Sequence, residues 1–323
     1  MIAIEEHWQL PEVAAEVRAL PEQRGDASVM FDEIDDNAER LADLGDARIA
    51  WMDDQGVDIQ ILSLTPPGTQ PLDPAPARLL SRRANDIVAE VIRRHPARLR
   101  AFATLPMADP EAAVAELERT AGLGFVGAML YGRTGPTPLD DPRYNELWAT
   151  AEALRQTIFI HPQIPAGTVR RAAYSGFDPL TDLGLATFAW GWHVETALAA
   201  LRLIVRGTFD RHPGLQIVLG HWGELLPFWT GRADSLSAIA GLDRKVSDYI
   251  RSNVYLTCSG MLDPALLRHA VAVTTPDRLL FSTDYPFQRP SRAEIGAFLA
   301  EFPTDEAREL FATGNARALF GIS

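Results

Sequence analysis

Short apolar runs recur along this chain, separated by longer amphipathic stretches. The runs are IAIE (2–5), DIQILSL (58–64), LRAFATL (99–105), FVGAML (125–130), TIFIH (157–161), LQIVLGH (215–221), NVYLT (253–257) and RLLFST (278–283). Each is compact, rich in β-branched or aromatic residues, and reads as a buried strand. Between most of them, apolar positions fall at helical spacing. ERLADLGDARIAWMDDQGV precedes the second run, and PARLLSRRANDIVAEVIRRH follows it. DPEAAVAELERTAG and DPRYNELWATAEAL open on Asp–Pro, an N-cap followed by a proline at the first helical position. LATFAWGWHVETALAALRLIVRGTFDRHP predicts a long helix ending at a proline. DPALLRHAVAV and SRAEIGAFLAEF carry the same logic near the end of the chain.

Strand and helix alternating eight times predict parallel strands joined by crossover helices, an α/β fold of the (β/α)8 barrel type. A doubly wound open sheet is the competitor. No G-x-G-x-x-G or Walker loop supports a nucleotide-binding version of it. No break in composition marks a second domain, so residues 1–323 are expected to form one barrel domain. Residues 8–43, rich in Pro, Asp and Glu, read as an insertion after strand one. Residues 165–182 read as a long loop after strand five. Long loops at one end of a barrel often shape a pocket.

The composition narrows the partners. Of 323 residues, 47% are apolar, enough for a sizeable core. A formal net charge of −13 argues against nucleic acid or an anionic membrane as general partners. An anionic small substrate stays compatible, because a local cation reverses the field inside a pocket. Cys258 is the one cysteine, so no intrachain disulfide forms and nothing points to an oxidising compartment. The N-terminus has no basic region of a signal peptide, and no apolar run reaches membrane-spanning length. A cytoplasmic protein is the expectation.

Chemistry in such barrels gathers at the C-terminal ends of the strands. There strand one supplies Glu5 and His7, which point to the same side of a strand. Strand five supplies His161, strand six His221 and strand eight Asp284. Three of the seven histidines belong to this set. One such residue is commonly structural; five at matching positions predict a metal site. Oxygen and imidazole donors without thiolate suit one divalent ion, Zn or Mn, and leave Fe and Co open. Cys258 reads as a small buried residue. His95, His212 and His269 read as structural residues near helix ends. His193 is equally compatible with pocket lining and with helix packing. Arg232 is either a surface arginine or a clamp for a carboxylate. Trp8, Trp190, Trp192 and Trp222 flank candidate site residues and would suit a flat, apolar substrate.

AIEEH, FIHP, ETALAALRL with FDRHP, LGHWGE, FSTDYPF and GNARALFGI together carry a family likeness over almost the whole chain. The chain resembles the amidohydrolase-related decarboxylases, in the branch of γ-resorcylate and 2,3-dihydroxybenzoate decarboxylases. Many relatives open with His-x-His, whereas this branch opens with Glu-x-His, as here. The resemblance implies Glu5, His7, His161 and Asp284 as metal ligands, with His221 and Glu224 as a catalytic pair. It implies Arg232 beside the substrate carboxylate. It also implies a homodimer or homotetramer. Gln163 stands where relatives often have Arg, and Trp222 where methionine is frequent. The 8–43 and 165–182 segments diverge, and these would select the substrate.

The expected reaction is non-oxidative decarboxylation of an ortho-hydroxylated aromatic acid. Asp284 would protonate the ring carbon before CO2 leaves, and Trp190, Trp222 and Arg232 would hold the substrate. No redox cofactor, biotin or pyridoxal motif is visible. The alternatives are a metal-dependent hydrolase of a lactone or amide, and a ligand-binding barrel without catalysis.

Overall fold

The computed structural model describes residues 1–21 and 24–322. Positions 22 and 23 of the expected 8–43 insertion, and position 323 of the expected domain, lie outside it. Each of the eight apolar runs supplies a strand. They are β1 (Ile2–Trp8), β2 (Ile59–Leu64), β3 (Leu99–Thr104), β4 (Gly127–Tyr131), β5 (Thr157–His161), β6 (Ile217–Leu219), β7 (Val254–Thr257) and β8 (Leu279–Leu280). They pair in parallel, each with the next in the chain. The His7 amide donates to the Tyr285 carbonyl at 2.7 Å, which joins the first strand to the segment after the last. Eight parallel strands in this nearly closed ring, with helices between, make a (β/α)8 barrel.

Alternate strand residues divide between two apolar clusters. Ile2, Ile4, Ile59, Ile61, Phe102, Met129, Phe159, Val218 and Leu280 form one, joined by Val126, Ala316 and Ile322. That is the barrel interior. Ala3, Leu62, Ala101, Ala128, Ile158 and Leu219 join the helices in the other. The helices begin as their Asp–Pro pairs predict. Asp109 accepts from the Ala112 amide before the helix Pro110–Gly122, and Asp263 from the Ala265 amide before Pro264–Val273.

Four features depart from the pattern. The expected long helix over 185–213 is broken into Gly191–Val205 and the short Thr208–Arg211, separated at the left-handed Gly207. The expected strands 215–221 and 278–283 shorten to 217–219 and 279–280. Beyond Leu219 the backbone turns left-handed, and beyond Leu280 it bonds side chains: the Thr283 amide donates to Glu6 Oε1 at 2.9 Å. The expected helix before β2 splits into Asn37–Ala42 and Asp46–Gln55. The 165–182 loop is largely helical, with Gly167–Ala173 and the start of Pro179–Ala186. Its second helix starts on the same signal as the others, Asp178 accepting from the Leu180 and Thr181 amides. The insertion after β1 folds into the helix Pro11–Arg18, a 3-10 turn Ala27–Glu33 and Asn37–Ala42. Among the described residues, no helix is long and apolar enough to cross a membrane.

Candidate active site and metal centre

Strict alternation would aim the first-strand ligands the wrong way. Ile2 and Ile4 point into the barrel, so Glu5 and His7 would point out toward the helices. A β-bulge prevents this. Ala3 pairs with Gln60, but Glu6 pairs with Leu62, so β1 carries one extra residue between them. The phase flips, and Glu5 and His7 face the interior while Glu6 and Trp8 face out. Glu6 then closes the seam, accepting from the Thr283 amide, from Thr283 Oγ1 at 2.6 Å and from Gln60 Nε2 at 3.1 Å. Arg48, fully buried, donates to the His7 carbonyl at 2.7 Å and fixes the strand from outside.

Glu5, His7, His161 and Asp284 each offer one ligand atom, all within 4.8 Å of one another. His7 Nε2 stands 3.2 Å from Asp284 Oδ1, and His161 Nε2 stands 3.6 Å from Glu5 Oε1. Glu5 Oε2 accepts from Thr257 Oγ1 at 3.1 Å and from Ser259 Oγ, while Oε1 is buried without a partner. His7 Nδ1 meets Ser63 Oγ at 3.1 Å, and its Nε2 is likewise buried and unpartnered. His161 Nδ1 donates to the Pro162 carbonyl at 2.9 Å, which leaves the Nε2 lone pair facing the cluster. One atom of each of these three is tied down and the other is free, which is how outer hydrogen bonds orient metal ligands. The residues fit a divalent cation.

Electrostatics agree. Burial holds the His7 imidazole down to about 3 and His161 well below its ordinary range, so both are neutral donors. Burial, with the charges of Asp284 and Glu224 adding, pushes Glu5 up to about 8. Burial, with Glu224 adding, pushes Asp284 up to about 7. Two carboxylates in this enclosure need added positive charge, a proton or a cation.

After β6 the chain makes an unusual turn. His221, Trp222, Gly223, Glu224 and Leu225 all have positive φ, from 47° to 86°. Four of the five are not glycine, and such residues cost roughly 1–3 kcal/mol each. The turn brings His221 Nδ1 within 2.8 Å of Glu224 Oε1 and His221 Nε2 within 4.0 Å of Asp284 Oδ2. Burial opposes a charge on His221, yet Glu224 first, then Glu5 and Asp284, carry it up to about 10. Burial likewise opposes a charge on Glu224, and His221 with His193 draws it down to about 2. The two form a buried ion pair. His193, open to either role in the sequence, supplies the third member: Nδ1 lies 2.5 Å from Glu224 Oε2, and Nε2 lies 2.9 Å from the Phe188 carbonyl. It lies in the first turn of the helix Gly191–Val205, and its partner 31 residues on was not readable from the sequence.

The amidohydrolase family pattern matches residues 7–322 of this chain. The chain belongs to the amidohydrolase family. It is 38% identical to the γ-resorcylate decarboxylase of Rhizobium radiobacter, covering 99% of this chain and 98% of that protein. Two solved structures are also similar. The 5-carboxyvanillate decarboxylase LigW of Sphingomonas paucimobilis matches with TM-score 0.89 at 33% identity, over 100% of this chain and 99% of that one. A dihydroxybenzoic acid decarboxylase from a Polaromonas species, with bound manganese and 2-nitroresorcinol, matches with TM-score 0.86 at 35% identity, over 99% and 96%. The resemblance read from the motifs holds over the whole chain, and this amidohydrolase is a metal-dependent carboxy-lyase. The hydrolase alternative is not favoured.

The centre opens into a cavity of about 620 Å³. Ser28, Phe31, Asp32 and Asn37 of the insertion form one wall; Phe188, Trp190, Trp192 and His193 form another. None of residues 165–182 lines it, so the wall after β5 comes from the segment just beyond the expected loop. Trp190, half exposed, stands at the rim. Trp222 borders the cavity, but its indole is buried, donates to the Met261 carbonyl at 2.8 Å and stacks on Phe311. Trp8 belongs to the outer core.

Arg232, open between a surface arginine and a carboxylate clamp, stands outside this chain's cavity. It is exposed in the short helix Thr230–Ala233 and does not line the cavity. The left-handed turn and the 3-10 stretch Leu226–Trp229 carry the chain away first. Among the described residues the one guanidinium on the wall is Arg289, paired with Asp36 at 2.5 Å. Gln163 accepts from Arg133 at 2.9 Å, off the cavity. Cys258 is buried, His95 and His212 end helices, and His269 stacks on Phe228 within a helix.

Proposed function

We propose that this amidohydrolase removes CO2 from an ortho-hydroxylated aromatic acid, with Asp284 as the proton donor to the ring. The placement of Asp284 carries the reading. Its carboxyl lies between a ligand imidazole at 3.2 Å and His221 at 4.0 Å, where burial and Glu224 raise its proton affinity against the opposing pull of His221. Glu5, His7, His161 and Asp284 would hold the ion, Mn or Zn. When bound, it supplies Lewis-acid polarisation of the substrate's oxygen atoms.

Direct loss of CO2 would leave an aryl anion. Asp284 avoids this by giving its proton to the carboxyl-bearing carbon, which an ortho phenolate makes basic. The C–C electron pair then returns to the ring as CO2 departs, and aromaticity is restored. One proton enters and one CO2 leaves. His221, held charged by Glu224, returns a proton to Asp284. Phe188, Trp190 and Trp192 border the flat ring and exclude water.

The whole chain acts as one barrel domain. Phe188, Trp190, Phe228, Trp229 and Ile239 are all at least half exposed, an apolar surface suited to a contact between copies in a homodimer or homotetramer. One buried cysteine suits a cytoplasmic enzyme. The test is CO2 release from hydroxybenzoates by protein loaded with Mn or Zn. Release that stops on chelation is expected; opening of lactones without CO2 release would overturn the reading. Light scattering reports the assembly.

A further inference from the structure

Among the described residues, two buried carboxyl oxygens lack a hydrogen-bond partner, Glu5 Oε1 and Asp32 Oδ2. The metal centre accounts for the first and leaves the second unexplained. Asp32 sits in the 3-10 turn Ala27–Glu33 of the insertion, 2% exposed, on the cavity wall. Thr65 Oγ1 donates to its Oδ1 at 3.1 Å and fixes its orientation. The neighbouring Arg18 is engaged elsewhere, with Glu33 at 2.6 Å. Two other buried carboxylates are paired with guanidinium groups, Asp140 with Arg202 and Arg206 and Glu116 with Arg119. Asp32 is not alone on its wall. Asn37 Oδ1 is also buried without a partner, and it lines the same cavity. Buried polar atoms are nearly always hydrogen-bonded, so two orphan acceptors on one cavity wall imply a donor that arrives with the substrate.

We propose that Asp32 accepts a hydrogen bond from a second hydroxyl, or an amino group, on the substrate ring. The substrate's carboxylate and ortho hydroxyl face the metal centre, and its further donor faces the insertion wall. Asp32 is an acceptor when ionised and keeps an acceptor oxygen when protonated, so a donor on the ring satisfies it in either form. Asn37 Oδ1 broadens the same subsite. The inference rests on the cavity being an aromatic-acid site, and its test separates the two readings.

The primary probes are phenol, catechol, resorcinol and hydroquinone, bound by calorimetry to metal-loaded enzyme. At least one diol is expected to bind about 10- to 100-fold tighter than phenol, the range of a hydrogen bond to a charged group. Asp32→Ala should erase that ratio, and Asp32→Asn should restore part of it. CO2 release from salicylate and the four dihydroxybenzoates that carry an ortho hydroxyl should follow the same ranking. A cavity of about 10 Å³, also lined by Asp32, is the competing explanation, since it could seat one water. In that event Asp32→Ala lowers the melting temperature and leaves the diol ratio within twofold, which overturns the proposal. Equal affinity of wild-type enzyme for phenol and all three diols overturns it too, whether or not the variants fold. Diol preference without CO2 release sustains the Asp32 assignment and strikes the decarboxylase reading.

Discussion

Replacing Glu224 with glutamine removes the charge that holds His221 protonated and keeps the side chain's shape. The rise of His221 from its ordinary 6.5 to about 10 corresponds to roughly 5 kcal/mol, at 1.36 kcal/mol per unit. Glu224, at 2.8 Å, is the largest of the groups that raise it. Without that charge, burial dominates and the imidazole turns neutral below pH 7. The assay is 15N-histidine NMR of the zinc-loaded enzyme beside a kcat–pH profile. A bound dication lowers the value in both proteins, so the difference between them is the quantity read. His221 should titrate at least two units lower in the variant, and kcat at pH 8 should fall about 100-fold, within the range for lost acid–base help. Stability carries its own signature. A raised His221 contributes stability that is complete below pH 6.5 and lost as pH rises through about 10. A depressed Glu224 contributes above pH 4.5 and loses it as pH falls through about 2. The melting temperature of Glu224→Gln should therefore drop most between about pH 4.5 and 6.5 and progressively less as pH rises toward 10. An imidazole still protonated at pH 8 in the variant would refute the ion-pair argument.

Asp284→Asn should lower kcat by about 10³-fold while the protein retains metal by elemental analysis, because the amide still offers an oxygen but no acidic proton. Near-normal turnover would remove Asp284 from the proton-transfer step. Gly220→Ala would place a methyl 2.9 Å from Ser259 Oγ and 3.0 Å from Glu5 Oε1, so metal affinity should fall at least tenfold in a competition titration with a chelator. For metal-free protein the two raised carboxylates run in the same direction as His221. Glu5 at about 8 and Asp284 at about 7 hold protons that the unfolded chain releases near pH 4. Their contribution therefore falls as pH rises from about 4 to 8. Melting curves with and without EDTA should diverge progressively over that window, and a pH-independent gap would contradict the assignment of these carboxylates.

The barrel was legible because eight runs of buried-strand character alternate with helical spacing, and each parallel pair needs a crossover between its strands. Asp–Pro starts located the helices after Asp109 and Asp263, while the same signal at Asp178 opens a helix inside the expected loop. The lengths of β6 and β8 were not legible, since residues after Leu219 and Leu280 look like strand but bond side chains instead. At the site, the strand-end rule gathered Glu5, His7, His161 and Asp284 without any contact information. It has no reach to Arg232, because the conformation of five consecutive left-handed residues decides where the chain goes next. It left His193 undecided, because its value lies in one partner, Glu224. Arg48 and Asp32 were missed outright. A buried arginine that caps carbonyls and an aspartate in an acidic insertion both look like solvated surface until burial is known.

The first strand shows why even the successful part needed the structure. Period two correctly put Glu5 and His7 on one side, but Ile2 and Ile4 fixed that side as the wrong one. The extra residue in β1 reverses the phase between the apolar half of the strand and its chemical half. It also sends Glu6 outward, where it binds Thr283 and Gln60 and holds the end of the barrel to its beginning. The three consecutive polar residues thus divide into two jobs. Glu5 and His7 face the cation, and Glu6 between them holds β1 against the segment that carries Asp284. A metal centre assembled from both ends of a barrel depends on that seam. Weakening it by Glu6→Ala should separate Asp284 from His7 and lower metal affinity, although residue 6 offers no ligand itself.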